Sequence, residues 1–257
     1  MTTASPRTIL VTGAASGIGA GVSRELARLG HRLVLSDLDL PGASAVVDEI
    51  RAFGGTAEAV PMDVTDEVSI ADGLSRVTHP VDVVLNNAGV QYVARLEEFP
   101  SATWERLVQI LLLGTVRVTR ALLPGMRERG FGRIINMGSI HSLVASPFKS
   151  AYVAAKHGLL GFSKTLALET ADTDITVNTI CPSYVRTPLV DHQIAAQARS
   201  LGIPEAEVID RVMLAPMPKG VFIGFDELAG ITEFLISPAA RNITGQTIVV
   251  DGGWTAR

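Results

Sequence analysis

The stretch "TILVTGAASGIGAGVSRELARLG", Thr8 to Gly30, decides the fold. Its first five residues are β-branched or apolar without alternation, which reads as a strand buried on both faces. The chain then runs directly into Gly13, Gly17 and Gly19 and on into a helix pattern over 18–29. Glycines in that place permit a tight turn and let backbone N–H groups approach a pyrophosphate closely, with the amino end of the helix favouring its charge. Ser16 and Ile18 lie between them and belong to the same cradle. A glycine triplet alone is a weak signal and fits any sharp turn; set between the first strand and the first helix of an alternating chain, it points to a dinucleotide.

The alternation continues outward from that unit. Strand patterns fall at 8–12, 32–37, 57–63, 82–87, 132–139, 174–181 and 246–251, with helix patterns between most of them, one over 151–170. Apolar strands alternating with helices specify an α/β fold: a single-domain, doubly wound, Rossmann-like parallel sheet of about seven strands with helices on both faces. Ligands of such sheets bind beyond the carboxyl ends of the strands. Residues 182–225 break the pattern, being long and proline-punctuated, and a lid is expected at about 188–225 within one domain spanning 1–257.

Composition narrows the partners. The chain has 257 residues, 47% of them hydrophobic, and a net charge of -4; this is a globular balance that argues against nucleic acid or an anionic membrane. A lone cysteine, Cys181, rules out an internal disulfide and reads as a small buried hydrophobe, and no metal site is expected. The apolar run near the amino terminus is too short for a secretory signal, and a cytoplasmic protein is expected.

Further polar residues fall at strand ends. Asp37 lies 18 residues past Gly19, where a carboxylate accepts hydrogen bonds from ribose hydroxyls and repels a 2′-phosphate, so NAD is expected over NADP. Asp63 and Val64 close the third strand, and Asn87, Ala88 and Gly89 follow the fourth; each is placed to touch a cofactor and equally able to cap a turn. In "KSAYVAAKHG", Tyr152 and Lys156 stand four apart on one helix face. Oxidising an alcohol needs a base at the hydroxyl, and a tyrosine titrating near 10 becomes one if an ammonium lies close.

Taken together, "TGAASGIG", "NNAG", Ser139, "YVAAK" and "DGG" resemble the short-chain dehydrogenases/reductases in order and spacing along the whole chain. The stretches "NNAGVQYV", "SIHSLVASPFKSAYVAAKHG", "ALETA", "TPLVDHQI" and "DGGWTA" are similar to the branch of that family acting on small 3-hydroxy acids such as (R)-3-hydroxybutyrate. The resemblance implies Tyr152 as acid/base, Lys156 as its activator and ribose ligand, and Ser139 as the hydroxyl holding the substrate oxygen. It implies Pro182, Val185 and Thr187 beside the cofactor, and Gln91, His141, Lys149 and Gln193 around the substrate carboxylate. Read singly those four are solvated loop residues. Trp254 either closes the pocket or packs in the core. A homotetramer is implied too, with helices near 104–126 and 151–170 at its interfaces.

Two departures stand out. The family's usual active-site asparagine, seven residues after a tryptophan, is here Leu111, counted from Trp104. Leucine neither donates nor accepts a hydrogen bond, and Gln109 sits about 200° away round a regular helix and does not stand in. Ser183 and Tyr184 replace a usual glycine and tryptophan after Pro182. The expected activity is an NAD-dependent oxidoreductase on a hydroxy acid. A reductase of another carbonyl compound such as a cyclic ketone, or a dehydrogenase of the matching alcohol, and NAD(H) binding without turnover are the readings set against it.

Overall fold

The computed structural model describes residues 6–256, apart from the side chains of residues 189 and 200; the outermost residues of the expected 1–257 domain lie outside it. Its strands are β1 (Thr8–Thr12), β2 (Arg32–Asp37), β3 (Thr56–Pro61), β4 (Val83–Asn86), β5 (Phe131–Met137), β6 (Asp174–Pro182) and β7 (Thr247–Val250). They form one sheet in the order β3-β2-β1-β4-β5-β6-β7, every pair parallel. The order reverses at β1 and β4, so the loops after them part and leave a crevice at the carboxyl edge.

The helices are α1 (Gly17–Arg28), α2 (Leu40–Ala52), α3 (Glu67–Ser75), α4 (Ser101–Val108), α5 (Thr115–Arg129), α6 (Ser150–Glu169), α7 (Pro188–Leu201), α8 (Glu205–Val208) and α9 (Phe225–Ile236). Strand alternation explains why the strands read apolar throughout. Ile9, Val11, Leu33 and Leu35 face α1, α2 and α9, whereas Leu10, Val34, Val84 and Ile134 face α3, α5 and α6. Each face therefore has its own core.

A wider π-helical turn, Gln109–Gly114, joins α4 to α5 into one continuous helix over Ser101–Arg129. Among the described residues this is the one helix long and apolar enough to cross a bilayer by length and composition, and its Ile110, Val118 and Met126 pack into the sheet's core.

A buried polar chain ties α6 to the sheet. Asn86 donates to Asn136 at 2.9 Å, Asn136 donates to Ser163 at 2.9 Å, and Ser163 shares a hydrogen bond with Thr179 at 2.9 Å. Ser163 lies two turns beyond Lys156, so this chain fixes the pitch and height at which α6 presents Lys156 and Tyr152.

The irregular segment after β6 is more helical than its sequence pattern implies. Thr187 caps α7 by accepting from the Val190 N–H, Pro188 begins it, and Gly202 at φ 68° ends it. Val190, Ile194, Val208 and Met213 make a small apolar cluster that includes Tyr184 and Phe222, and a single parallel bridge, Val185 to Ile223, closes the base.

Candidate active site

A cavity of about 1070 Å³ opens at the carboxyl edge of the sheet. It gathers nearly all the residues singled out by the sequence. Gly13, Ser16, Gly17, Ile18, Asp37, Asp63, Val64, Asn87, Ala88, Gly89, Val185 and Thr187 line one part, and Gln91, Ser139, His141, Lys149, Tyr152, Lys156, Gln193 and Trp254 line the rest. Gly19 and Pro182 are off the wall. Gly19 is instead a packing glycine, since a Cβ there would sit 2.3 Å from the Gly13 carbonyl oxygen; Pro182 ends β6 beside Val250.

The glycine loop is held by neighbouring backbone. Gly13 has φ 66°, and a Cβ on it would come within 2.7 Å of Ala88 Cα, so both conformation and crowding demand glycine. Asn87 donates through Nδ2 to the Thr12 and Gly13 carbonyls at 2.9 and 3.0 Å, and Thr12 Oγ1 accepts the Asn87 and Ala88 N–H groups. Gly17, at φ 57°, opens α1, whose first turn has no acidic residue and no side-chain cap. Free N–H groups and the dipole therefore face the cavity. At the far end, Asp37 accepts from the Ala15 N–H at 2.9 Å and the Asp39 N–H at 3.0 Å. This half fits a dinucleotide: a cleft that side chains would fill, an electropositive helix end and an acid at the tip of β2.

The reactive groups come from β5 and α6. Ser139 caps a short turn, accepting from the His141 N–H at 3.2 Å while its own N–H donates to Ser142 Oγ. Lys156 is buried and donates from Nζ to the Met137 carbonyl at 2.5 Å. Nζ lies 5.6 Å from the centre of the Tyr152 ring. Burial lowers Lys156 to about 8. Burial also raises Tyr152, opposed by the Ser139 hydroxyl. The expectation that Lys156 draws Tyr152 down is thus not met here, because the ammonium is turned onto Met137 and burial dominates.

Beside them lies a cluster whose polar groups are unsatisfied. Lys149 Nζ is 3.4 Å from His141 Nε2 and has no carboxylate at ion-pair distance among the described residues. An ammonium only donates, so Nε2 accepts and His141 carries its hydrogen on Nδ1, which is buried and unpartnered. Burial, then the charges of Lys149 and His157, lower His141 to about 4, keeping it neutral near pH 7. Gln91 Oε1 is likewise buried without a partner. His141 meets Tyr152 and Trp254 edge-on at 6.2 and 6.3 Å, and Trp254 lies 5.9 Å from Tyr184, forming an aromatic wall.

Residues 7–198 match the sequence model of the short chain dehydrogenase family. The chain belongs to that family. It is therefore an oxidoreductase served by a nicotinamide cofactor, which is the group the glycine cleft fits. The chain is similar over 98% of its length to a D-beta-hydroxybutyrate dehydrogenase of Rhizobium meliloti (strain 1021), at 44% identity and 99% of that protein. A second D-beta-hydroxybutyrate dehydrogenase, from Cupriavidus necator, is 41% identical over 98% of both chains. Among solved structures, an actinorhodin polyketide ketoreductase variant with NADPH superposes with a TM-score of 0.91, at 34% identity and 98% coverage of each chain.

Leu111, where the family resemblance implies an asparagine, has a definite setting. Leu111 is buried with Phe99, Leu107, Ala151 and Ala155, and its Cδ2 lies 3.1 Å from where a Cβ on Gly89 would stand. It brings methyl groups to the cavity wall, so Lys156 has no polar partner from this helix. Gln109 also lines the cavity, contrary to the regular-helix geometry, because the cavity wraps around the widened π turn; its Oε1 accepts from Arg117 Nη2 at 2.8 Å and makes no bond to Lys156. The sequence reading missed the Met137 carbonyl as the partner of Lys156, and no local pattern carries that signal.

Proposed function

We propose that the chain is an NAD-dependent dehydrogenase interconverting a small 3-hydroxy acid, foremost (R)-3-hydroxybutyrate, and its 3-keto acid. The observation that carries this reading is the juxtaposition of Ser139, Tyr152 and Lys156 with an unpaired cation, Lys149, and two orphaned polar atoms on His141 and Gln91. A small carboxylate there takes donors from Lys149 and His141 Nδ1–H, a charge-assisted arrangement. The two hydroxybutyrate dehydrogenases at 44% and 41% identity support the same substrate class.

In this reading Ser139 Oγ holds the substrate hydroxyl and Tyr152 receives its proton. The bound cofactor supplies hydride acceptance, or donation in reverse. The Tyr152 phenolate is the form that accepts the substrate proton, and an ammonium close to it favours that form against the burial that opposes it. That form is the base, once Lys156 swings from Met137 toward the ring. The glycine loop and the first turn of α1 would hold the pyrophosphate, and Asp37 the adenosine ribose. No cation lies among its bonded partners to receive a 2′-phosphate, which supports NAD.

The segment 188–225 acts as a lid in this account, presenting Gln193 to the substrate. Leu111 slows proton exchange without abolishing it. Assembly as a homotetramer through α4, α5 and α6, in the cytoplasm, completes the proposal; Leu168 on α6, 81% exposed, supports a partner there. A substrate panel tests the reading. Turnover should favour small hydroxy acids over uncharged secondary alcohols and cyclic ketones, with the preference lost in Lys149→Ala. Equal use of uncharged substrates, indifferent to that change, would favour the ketone reading, which the ketoreductase superposition supports.

A further inference from the structure

Phe148 and Lys149 both break local rules, side by side, at the edge of the cavity. Phe148 has φ 67° and is the one non-glycine residue with positive φ among the described residues; a bulky side chain is crowded by its own backbone there. Lys149 is the N-cap of α6 and makes no capping hydrogen bond. N-caps favour short side chains that accept, and a cation at the positive end of a helix is electrostatically disfavoured. Burial does not explain the strain, since Phe148 is 48% exposed.

What the conformation does achieve is a junction. The Phe148 carbonyl accepts from the Ala94 N–H at 3.0 Å, and the Arg95 guanidinium lies 5.6 Å from the Phe148 ring centre. Immediately beyond, the Lys149 carbonyl accepts from Val153 to start α6, and Ser150 Oγ accepts from Trp104 Nε1 at 3.2 Å. Gln91, with its orphaned Oε1, is on the loop that carries Ala94. Strain held by surrounding contacts and adjoining an unsatisfied cluster is a feature of functional sites.

We propose that the left-handed Phe148 backbone, clasped by the Ala94 N–H, is a positioning device. It sets the Lys149 ammonium and the Gln91 side-chain amide, donating through Nε2, in register against one substrate that bears a carboxylate. Phe148 touches no substrate itself and acts through Lys149. The inference rests on the hydroxy-acid reading above and adds a residue to it.

The test compares Phe148→Gly, Phe148→Ala and Phe148→Val in steady-state kinetics with 3-hydroxybutyrate and with an uncharged secondary alcohol. Glycine adopts positive φ freely, alanine keeps the native Cβ but lacks the ring, and β-branched valine opposes the conformation. KM for the hydroxy acid should stay within roughly twofold in the first two and rise about tenfold in the third. Meanwhile kcat, and kcat/KM for the uncharged alcohol, should hold in all three. Phe148→Thr replaces valine if that variant does not fold. A rise in KM shared by glycine and valine would assign the effect to the ring and overturn the proposal. A rise in Lys149→Ala with none in either β-branched variant would overturn it while leaving the hydroxy-acid reading intact, and no rise in Lys149→Ala would overturn both.

Discussion

Around the glycine loop, polar groups on the cavity wall and behind it are held by neighbouring backbone: Asp37 by two N–H groups, Asn87 by two carbonyls, and the buried Thr12 by two further N–H groups. Around Lys149 the opposite holds, with His141 Nδ1 and Gln91 Oε1 buried and unpartnered and an ammonium without a counter-charge among the described residues. The first region is preorganised by the chain itself, as suits a large ligand bound through backbone. The second presents donors to an anion from Lys149 and His141 Nδ1, while Gln91 Oε1 calls for a donor such as a ligand hydroxyl, since unpaired buried polar groups cost free energy until a ligand meets them.

Changes confined to one half should therefore leave the other's ligand unaffected. The largest effect belongs to the junction. Tyr152→Phe should lower turnover by about 10²–10⁴-fold while NADH affinity, followed by fluorescence titration, stays within roughly threefold. A loss of NADH binding would mean that α6 serves the cofactor half far more than this division allows. Next, Gly13→Ala should destabilise the fold by about 2–3 kcal/mol in urea unfolding, through forced φ and backbone collision. It should weaken the cofactor, with KM for the hydroxy acid changed much less.

Lys149→Met should raise KM for the hydroxy acid by roughly tenfold or more with NAD affinity unchanged, the converse of the glycine variant. The smallest effect on stability sharpens the picture of burial. Because the folded protein holds Lys156 at about 8 rather than 10.5, its protonation opposes folding. The cost is complete below about pH 8, fades as pH rises, and is gone above the unfolded value. Lys156→Met, which loses the Met137 hydrogen bond but no longer buries a charge, should stabilise the protein near pH 7 by about 1–2 kcal/mol while abolishing turnover. The gain should shrink as pH approaches 10, readable from melting temperatures; a destabilised variant would show that Lys156 is better accommodated than its burial indicates.

Much of the cofactor half was legible because its signals are local. A continuous apolar run followed by glycines specifies strand, turn and helix within one short segment, and the observed β1, β2 and α1 agree with the expected spans to within a residue. Strand ends were less exact: β3 ends at Pro61 rather than Asp63, and β5 at Met137 rather than Ser139, because the residues beyond turn away from the sheet into the cavity. The residues around Lys149 were named through resemblance, not pattern. What escaped was side-chain direction over long sequence separation. Nothing near Lys156 in sequence says that Met137, 19 residues earlier, accepts its ammonium. Nothing near Asn86 announces the buried chain through Asn136 and Ser163 to Thr179. The π turn at Gln109–Gly114 also breaks the regular-helix arithmetic used for Gln109 and Leu111.

The most direct test of the central claim is NADH formation by the purified protein with NAD and either (R)- or (S)-3-hydroxybutyrate, followed from about pH 6 to about pH 10. The account predicts (R)-selective turnover that rises with pH as Tyr152 loses its proton. No NADH from either enantiomer, with turnover of uncharged alcohols under the same conditions, would contradict it.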